Sequence, residues 1–283
     1  MITPSFSLTA TERVLPKLAL DFTTASLDPR VTFTRTTGAS NPATYVNSSG
    51  YVANATDNQP RFDYNPVTLA CNGLLIEESR ANILLATEEF DNATYWTPAA
   101  ASVSGNAATS PANTLTADKL IGDSSTGFHY VSRTASTPAS TQYALSVYAK
   151  AAERTQVYVA VGGVNWTTSG NCVVDLTNGS VVSGSGTVTT MKDGWYRITI
   201  FGTTNATVAS RGIVIATAAN NTANYNGTTY PGGIYIWGAQ MEVGAFATSY
   251  IPTTTTALTR NADVATMTGT NFSSWYNQTE GAF

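Results

Sequence analysis

The chain has 283 residues, enough for one large or two modest domains that bury a core without staples. Only 11% of residues are charged, against a typical ~25%, and 47 are threonine, so Thr, Ser, Asn and Gly take the surface places that Lys and Glu usually hold. That composition disfavours long helices and favours half-buried strands. A net charge of −4 with no basic block excludes a surface that tracks phosphates. No apolar run reaches the ~18 residues needed to cross a bilayer. The first ten residues have neither a basic nor an apolar region of a secretory leader, so the chain is expected to fold in a cytosol and not to insert in a membrane.

Residues 1–19 hold two prolines and no strand alternation, and read as an extended arm. Residues 20–87 contain short extended pieces, such as Val31–Arg35, Ala43–Val46, Arg61–Tyr64 and Gly73–Glu77, cut apart by Gly, Pro, Asn and Asp. So broken a region buries little by itself, and the expectation is a β-rich connector that needs partner surface. Residues 88–252 carry about nine candidate strands at sandwich spacing, among them Leu115–Ile121, Phe128–Arg133, Tyr143–Lys150, Gln156–Val164, Trp195–Phe201 and Gly233–Glu242. Tyr143, Leu145 and Val147 alternate onto one face, as do Val157, Val159 and Val161, which predicts one buried and one solvated side for each strand. Residues 253–283 open on a Thr-rich run read as a linker leaving the sandwich. The closing Thr279-Glu-Gly-Ala-Phe283 reads as the opening of a further strand, so a further domain is expected there. The fold class expected is all-β, with a β-sandwich behind the connector.

The residues that carry chemistry are few. His129 is the only histidine, which leaves His-based triads and zinc clusters little to draw on, and no carboxylate pair is marked as catalytic. The chain is therefore read as a non-enzyme without a cofactor. A structural calcium ion at Glu89, Asp91 and Glu242 is the one metal site considered, beside the plainer reading of solvated acids at strand ends. With Val157 and Tyr143 in the core, parity turns Tyr148, Tyr158 and Gln156 outward, and Trp166 stands at the following turn. Such rings beside an amide suit a saccharide, whose C–H face stacks on the ring. Equally, they suit packing under loops or against a neighbour. Trp195, Tyr196 and Trp237 are assigned to core and edge packing. Arg35, Arg61, Arg80 and Arg260, with Asp21, Asp63, Glu77 and Asp263 as partners, are read as ion pairs that fix the connector to the sandwich or to sister chains. Cys71 and Cys172 are read as free buried thiols, with one long-range disulfide as the alternative.

Three groups of residues also resemble a family of phage virion proteins, the head-fiber or head-spike and tail-fiber-associated carbohydrate-binding proteins. One is Leu20-Asp-Phe-Thr with Val31-Thr-Phe-Thr-Arg35, Ala43-Thr-Tyr-Val-Asn47 and Gly50-Tyr-Val52. Another is Pro60-Arg-Phe-Asp-Tyr64 followed by Gly73-Leu-Leu-Ile-Glu-Glu-Ser-Arg-Ala-Asn-Ile-Leu-Leu85, with Ala81 where the family usually has Thr. The third is Gly194-Trp-Tyr-Arg197 with Trp237-Gly-Ala-Gln-Met-Glu242, Thr248-Ser-Tyr-Ile-Pro-Thr253 and Thr259-Arg-Asn-Ala-Asp263. The resemblance implies a capsid- or tail-attached fiber, often a homotrimer; the broken strands of residues 20–87 are then expected at subunit interfaces, and residues 1–19 are expected to dock onto the virion. It also implies a jelly-roll domain of carbohydrate-binding-module type offered to a host-surface glycan. A freestanding lectin-like module and a polysaccharide depolymerase are the alternatives.

Overall fold

The computed structural model describes residues 18–36 and 43–279. Most of the arm, residues 1–17, lies outside the described residues, as does the end of the chain after residue 279. The connector begins with a single 3₁₀ turn, Phe22–Thr24, capped by the Asp21 carboxylate. It continues through β1 (Thr32–Thr34), β2 (Ala43–Val46), β3 (Val52–Ala55), β4 (Phe62–Tyr64), β5 (Cys71–Leu74) and β6 (Arg80–Asn82). The sandwich follows. It comprises β7 (Thr97–Ala99), β8 (Ala101–Thr109), β9 (Leu115–Gly122), β10 (Thr126–Phe128), β11 (Tyr130–Thr137), β12 (Gln142–Ala151), β13 (Gln156–Gly163) and β14 (Trp166–Ser169). It then runs through β15 (Asn171–Asp175), β16 (Ser180–Gly184), β17 (Thr187–Thr190), β18 (Trp195–Thr204), β19 (Ala209–Ala218), β20 (Asn224–Asn226) and β21 (Gly233–Val243). After it come β22 (Leu258–Arg260), β23 (Val264–Thr266) and one helical turn, α1 (Thr270–Ser273).

Two antiparallel sheets form the sandwich. One has six strands in the order β16-β15-β13-β19-β11-β7; the other has seven, β14-β18-β12-β21-β9-β8 with β17 also on β18. The chain starts β9 in the larger sheet, crosses to β11, returns for β12, crosses for β13 and β15, and then alternates through β18, β19 and β21. The neighbour orders β9-β21-β12-β18 and β11-β19-β13-β15 that result are the winding of a jelly roll. The core lies between the sheets. Tyr143, Leu145, Val147, Val157, Val159, Ile198, Ile213 and Ile236 meet there, the alternate residues that period two assigns to one face. Leu84 and Ala86 also lie in this core, so the sandwich begins a few residues before 88. Strands β7 and β8 are built mostly from Ala, Ser and Thr, with Val103 their one large aliphatic residue, which is why sequence patterning passes over them.

The connector is covered by its own chain. Val46 and Val52 pack on a second apolar cluster of Tyr148, Met191, Trp195, Trp237 and Tyr250, which lies on the outer face of the seven-stranded sheet. A break in register between β12 and β21 falls between Ser146 and Tyr148, opposite Gly238. Gly238 has φ +63°, and a Cβ there would stand 3.0 Å from the Tyr148 ring and 3.4 Å from the Tyr250 ring. Glycine is what lets β21 bulge and the aromatic cluster close over it.

One expectation is corrected here. The Thr-rich run does not leave the sandwich: Thr253 is buried, β22 pairs with β6, and β23 pairs with β1. Residues 258–266 thus run back along the connector, because β1 and β6 offer open edges that these strands satisfy. Among the described residues, β18, β21, β22 and β23 also offer surface to residues 20–87 from the same chain.

A buried polar cluster joins these parts. Arg35, Arg61 and Arg260 are each at most 1% exposed. Asp263 accepts from Arg35 Nη1 at 2.9 Å, from Arg61 Nη2, and from the Glu77 backbone N–H at 2.9 Å. Glu77 lies 2.8 Å from Arg61 and 3.1 Å from Arg260. Glu242, fully buried, accepts from Gln240 Nε2, Thr248 N and Thr248 Oγ1 at 2.6–2.7 Å. Gln240 Oε1 in turn accepts the Ile251 N–H at 2.7 Å. Three guanidinium groups thus pair with two carboxylates, Asp263 and Glu77, while neutral donors hold the third, Glu242; burial of charge requires such partners.

Candidate functional site

The outer faces of the two sheets differ. That of the seven-stranded sheet lies under the connector; the outer face of the six-stranded sheet carries an open groove of about 320 Å³. Register places its residues. Across the sheet, Tyr130 (β11), Ala216 (β19) and Tyr158 (β13) form one row; Ser132, Val214 and Ala160 form the next; Thr134, Gly212 and Gly162 the third. Paired residues point to the same face, so two tyrosines stand roughly 10 Å apart on strands flanking β19. Phe128, 45% exposed, meets Tyr158 edge to face at a centroid distance of 6.0 Å. The rings close over Ala216, which is buried, and the groove opens beyond them along Val214, Ala160 and Gly162. A Cβ at Gly162 would stand 3.0 Å from Val214 and fill the floor. Ser132 and Thr134 place hydroxyls along one wall. The arrangement offers ring faces, a flat floor of small residues and uncharged hydroxyls, which is the chemistry that packs and hydrogen-bonds a saccharide.

Beyond the Phe128–Tyr158 pair lies a larger, polar cavity of about 620 Å³, lined among others by Gln156, Ala218, Asn220, Asn221 and Tyr230. Gln156 stands one outward position before Tyr158 on β13 and pairs with Ala218. It exchanges two hydrogen bonds with Asn221, at 2.8 and 2.9 Å. Arg154 in its wall is 6% exposed; its two terminal nitrogens donate to the carbonyls of Tyr230 and Ala218, and its guanidinium lies 4.0 Å from the Tyr225 ring centre. Glu153 is held by Lys119 at 2.6 Å and by the Gly233 N–H at 3.1 Å, and these bonds keep its carboxyl down at about 2.

The four residues expected to form a sugar patch are not together. Tyr158 and Gln156 share the outer face described above. Tyr148 does point away from the sandwich core, as parity predicts, but it is 3% exposed, 5.2 Å from Trp237 and 6.0 Å from Tyr250. Its exposure is corrected, because the connector covers that face. Trp166 is half-buried: its ring packs on Gly202 and lies 6.4 Å from Tyr143, and its Nε1 donates to the Gly162 carbonyl at 3.1 Å. It is packed against the main core and does not line the groove. Phe128 and Tyr130 take their place. They were legible, since Phe128, Tyr130, Ser132 and Thr134 alternate with the buried His129 and Val131, but that parity was not carried through to a site.

The calcium set also fails to assemble. Glu89 and Asp91 line an open cavity with Glu88 and Asn106, whereas Glu242 belongs to the buried cluster with Thr248 and Gln240. Among the described residues no three His, Cys, Asp or Glu side chains are grouped to hold a metal ion. Sequence reasoning passed over the acid that is buried nearby, Asp118. It accepts the backbone N–H groups of Phe90 at 2.6 Å, Asn106 at 2.9 Å and Asp91 at 3.3 Å, and burial pushes its carboxyl up to about 6. Of the four arginines, Arg35, Arg61 and Arg260 lie in the buried cluster, and Arg80 stands apart. It is paired with the exposed Glu78 and lies 5.0 Å from the Phe246 ring centre. Among the described residues Asp63 makes no ion pair; it accepts the Val46 N–H at 2.9 Å. Cys71 and Cys172 are both free, and burial pushes the Cys172 thiol up to about 12. No helix among the described residues is long and apolar enough to cross a membrane.

No family model and no curated protein matches the chain. Among solved structures, the enzymatically active domain of tailspike protein 4 of bacteriophage CBA120 superposes with a TM-score of 0.34 at 12% identity. The match covers 57% of this chain and 21% of that one. At that level of superposition it carries no inference about fold or activity here.

Proposed function

We propose that the protein is a non-enzymatic phage virion component, a head or tail fiber or spike, whose sandwich holds a host-surface or environmental glycan weakly on the outer face of its six-stranded sheet. The observation that carries the binding half is the groove between Tyr130 and Tyr158, with Phe128 at its end. Three rings on one exposed sheet face otherwise lose the burial that aromatic side chains usually find. Among the described residues, no Asp, Glu, His or Cys side chain lines this groove. The phage half rests on the resemblance of the motif-bearing residues. In this reading the chain is a homotrimer that docks to the capsid or tail through residues 1–19, and many weak sites on one particle raise the effective concentration of binding.

The burial of the connector within its own chain favours a second reading, a freestanding lectin-like module, because such a chain needs no sister surface. Native mass separates the two: a stable trimer supports the fiber, and a folded monomer supports the module. Multivalent display of the chain on beads over a glycan array tests binding itself. Retention of at least one short glycan, lost in Tyr158→Ala, is expected; an array without retention overturns the glycan reading.

A further inference from the structure

We propose that the glycan is an internal segment of a neutral, extended polysaccharide, lying across the Phe128–Tyr158 pair with one part in the sheet groove and the other in the polar cavity beside Gln156. This rests on the glycan reading above and names the class of ligand. Position along β13 carries it first. Gln156 lines one cavity and Tyr158 the other, and the two side chains are successive outward residues of the same strand, roughly 7 Å apart along it. The cavities therefore flank one aromatic ridge. From Gln156 to Gly163 the outer face of β13 extends for roughly 23 Å, too long for one sugar ring and suited to a chain.

The walls argue against a pocket for a chain end. A site that reads an end closes around it, and here both cavities open to the surface on either side of the ridge, each with polar groups to meet hydroxyls: Ser132 and Thr134 on one side, Gln156, Asn220 and Asn221 on the other. The Gly162 floor lets a polymer lie close to the sheet, since any Cβ there would stand in its path.

Charge selects the neutral class. Among the described residues, no charged side chain lines the groove. In the polar cavity the Glu153 carboxylate is occupied by Lys119, and the terminal nitrogens of Arg154 are occupied by two carbonyls. The chain as a whole carries a net charge of −4, which repels polyanions such as polyuronates.

Affinity electrophoresis of the full chain in native gels tests this, with dextran, soluble starch and mannan as neutral polymers and alginate and polygalacturonate as anionic ones. Retardation is expected in at least one neutral gel and in neither anionic gel. Gln156→Ala, at a half-buried position, and Thr134→Ala, at an exposed one, lie on opposite sides of the ridge and should each weaken retardation about fivefold, the loss of one hydrogen bond. The constituent monosaccharide should compete far less well, per sugar unit, than its oligomers. Retardation only by the anionic polymers overturns the proposal. So does equal competition by the monosaccharide, or retardation that depends on Tyr158 but on neither Gln156 nor Thr134. If the array retains a short glycan through Tyr158 while no neutral polymer retards the chain, this proposal falls and the glycan reading stands; if neither assay shows binding, both fall.

Discussion

The two outer faces of the sandwich begin alike and end differently. Each carries tyrosines at positions that strand parity turns away from the core: Tyr148 on β12, and Tyr130 and Tyr158 on the sheet opposite. Over Tyr148 the chain lays Val46, Val52 and Tyr250, so that β12 is buried on both sides. Over Tyr158, among the described residues, it lays Phe128, and the groove beside it stays open. Alternation along a strand decides which side of a sheet a residue occupies. Whether that side meets water is decided by segments distant in sequence, here the connector and the return of residues 250–266.

The largest effect should come from the cluster that pins the connector to the covered face. Asp263→Ala leaves Arg35 and Arg61 buried without their shared carboxylate. Breaking one buried pair costs ~3–5 kcal/mol, and with two guanidinium groups affected we expect a chain that is unfolded or nearly so, seen as loss of the cooperative unfolding transition in circular dichroism. A smaller but still large loss is expected from Trp237→Ala. It removes a ring 4.8 Å from Tyr250 and 5.2 Å from Tyr148, and truncations of this kind cost ~3–5 kcal/mol. If denaturant unfolding shows a loss under about 1 kcal/mol for Trp237→Ala, the covered face is not a core and the comparison fails.

An intermediate effect should appear with pH at the corner where Phe90 meets β9. Burial raises the Asp118 carboxyl to about 6, chiefly by desolvation, with Asp91 adding to it and three backbone N–H groups opposing. The folded state therefore holds this proton more tightly than the unfolded chain, where an aspartate titrates near ~3.9. Between those values the native form binds more protons, so this group's contribution to stability falls as pH rises from about 4 to about 6 and is level above that. Glu77 works the other way. Burial alone would raise it, but Arg260, Arg61 and the Ser249 hydrogen bonds together lower it, so its contribution is present above the unfolded value and is lost as pH falls through the folded one. A carboxyl carbon titration that finds Asp118 moving near 4 would remove the effect.

Much of the sandwich was legible because its strands are long and apolar on one side. Tyr143–Lys150, Gln156–Val164, Trp195–Phe201 and Gly233–Glu242 each lie within a few residues of an observed strand. The short strands β7, β10, β14 and β20 were not, since three or four residues give period two too little to act on. Ion pairs were foreseeable as a class, because Arg35, Arg61, Arg260, Glu77 and Asp263 stand out in a chain with so few charges. That Asp263 serves two arginines depends on the return of β23 to β1, and the Thr-rich run before it looks like a linker when read alone. The site was half legible. Parity found Tyr158 and Gln156 and would have found Tyr130. It misplaced Tyr148, because no local pattern reports a cover supplied from 100 residues away.

The smallest change in stability should come from the open face, and there the comparison is sharpest. Tyr158→Ala removes a ring that is half-buried and touches Phe128 at its edge. An edge-to-face pair contributes ~0.5–1.5 kcal/mol, so we expect a loss near 1 kcal/mol in denaturant unfolding. Tyr148→Ala, the same chemical change on the covered face, should cost about 3 kcal/mol or more. Glycan retention should respond in the reverse order: Tyr158→Ala should abolish it, while Tyr148→Ala, assayed where the variant remains folded, should leave it intact. The two substitutions thus form a crossed pair, in which one mainly loses stability and the other mainly loses binding. Equal stability losses would mean that the six-stranded sheet is also covered, by a partner or a second copy, and the groove would then be an interface rather than a site for sugar.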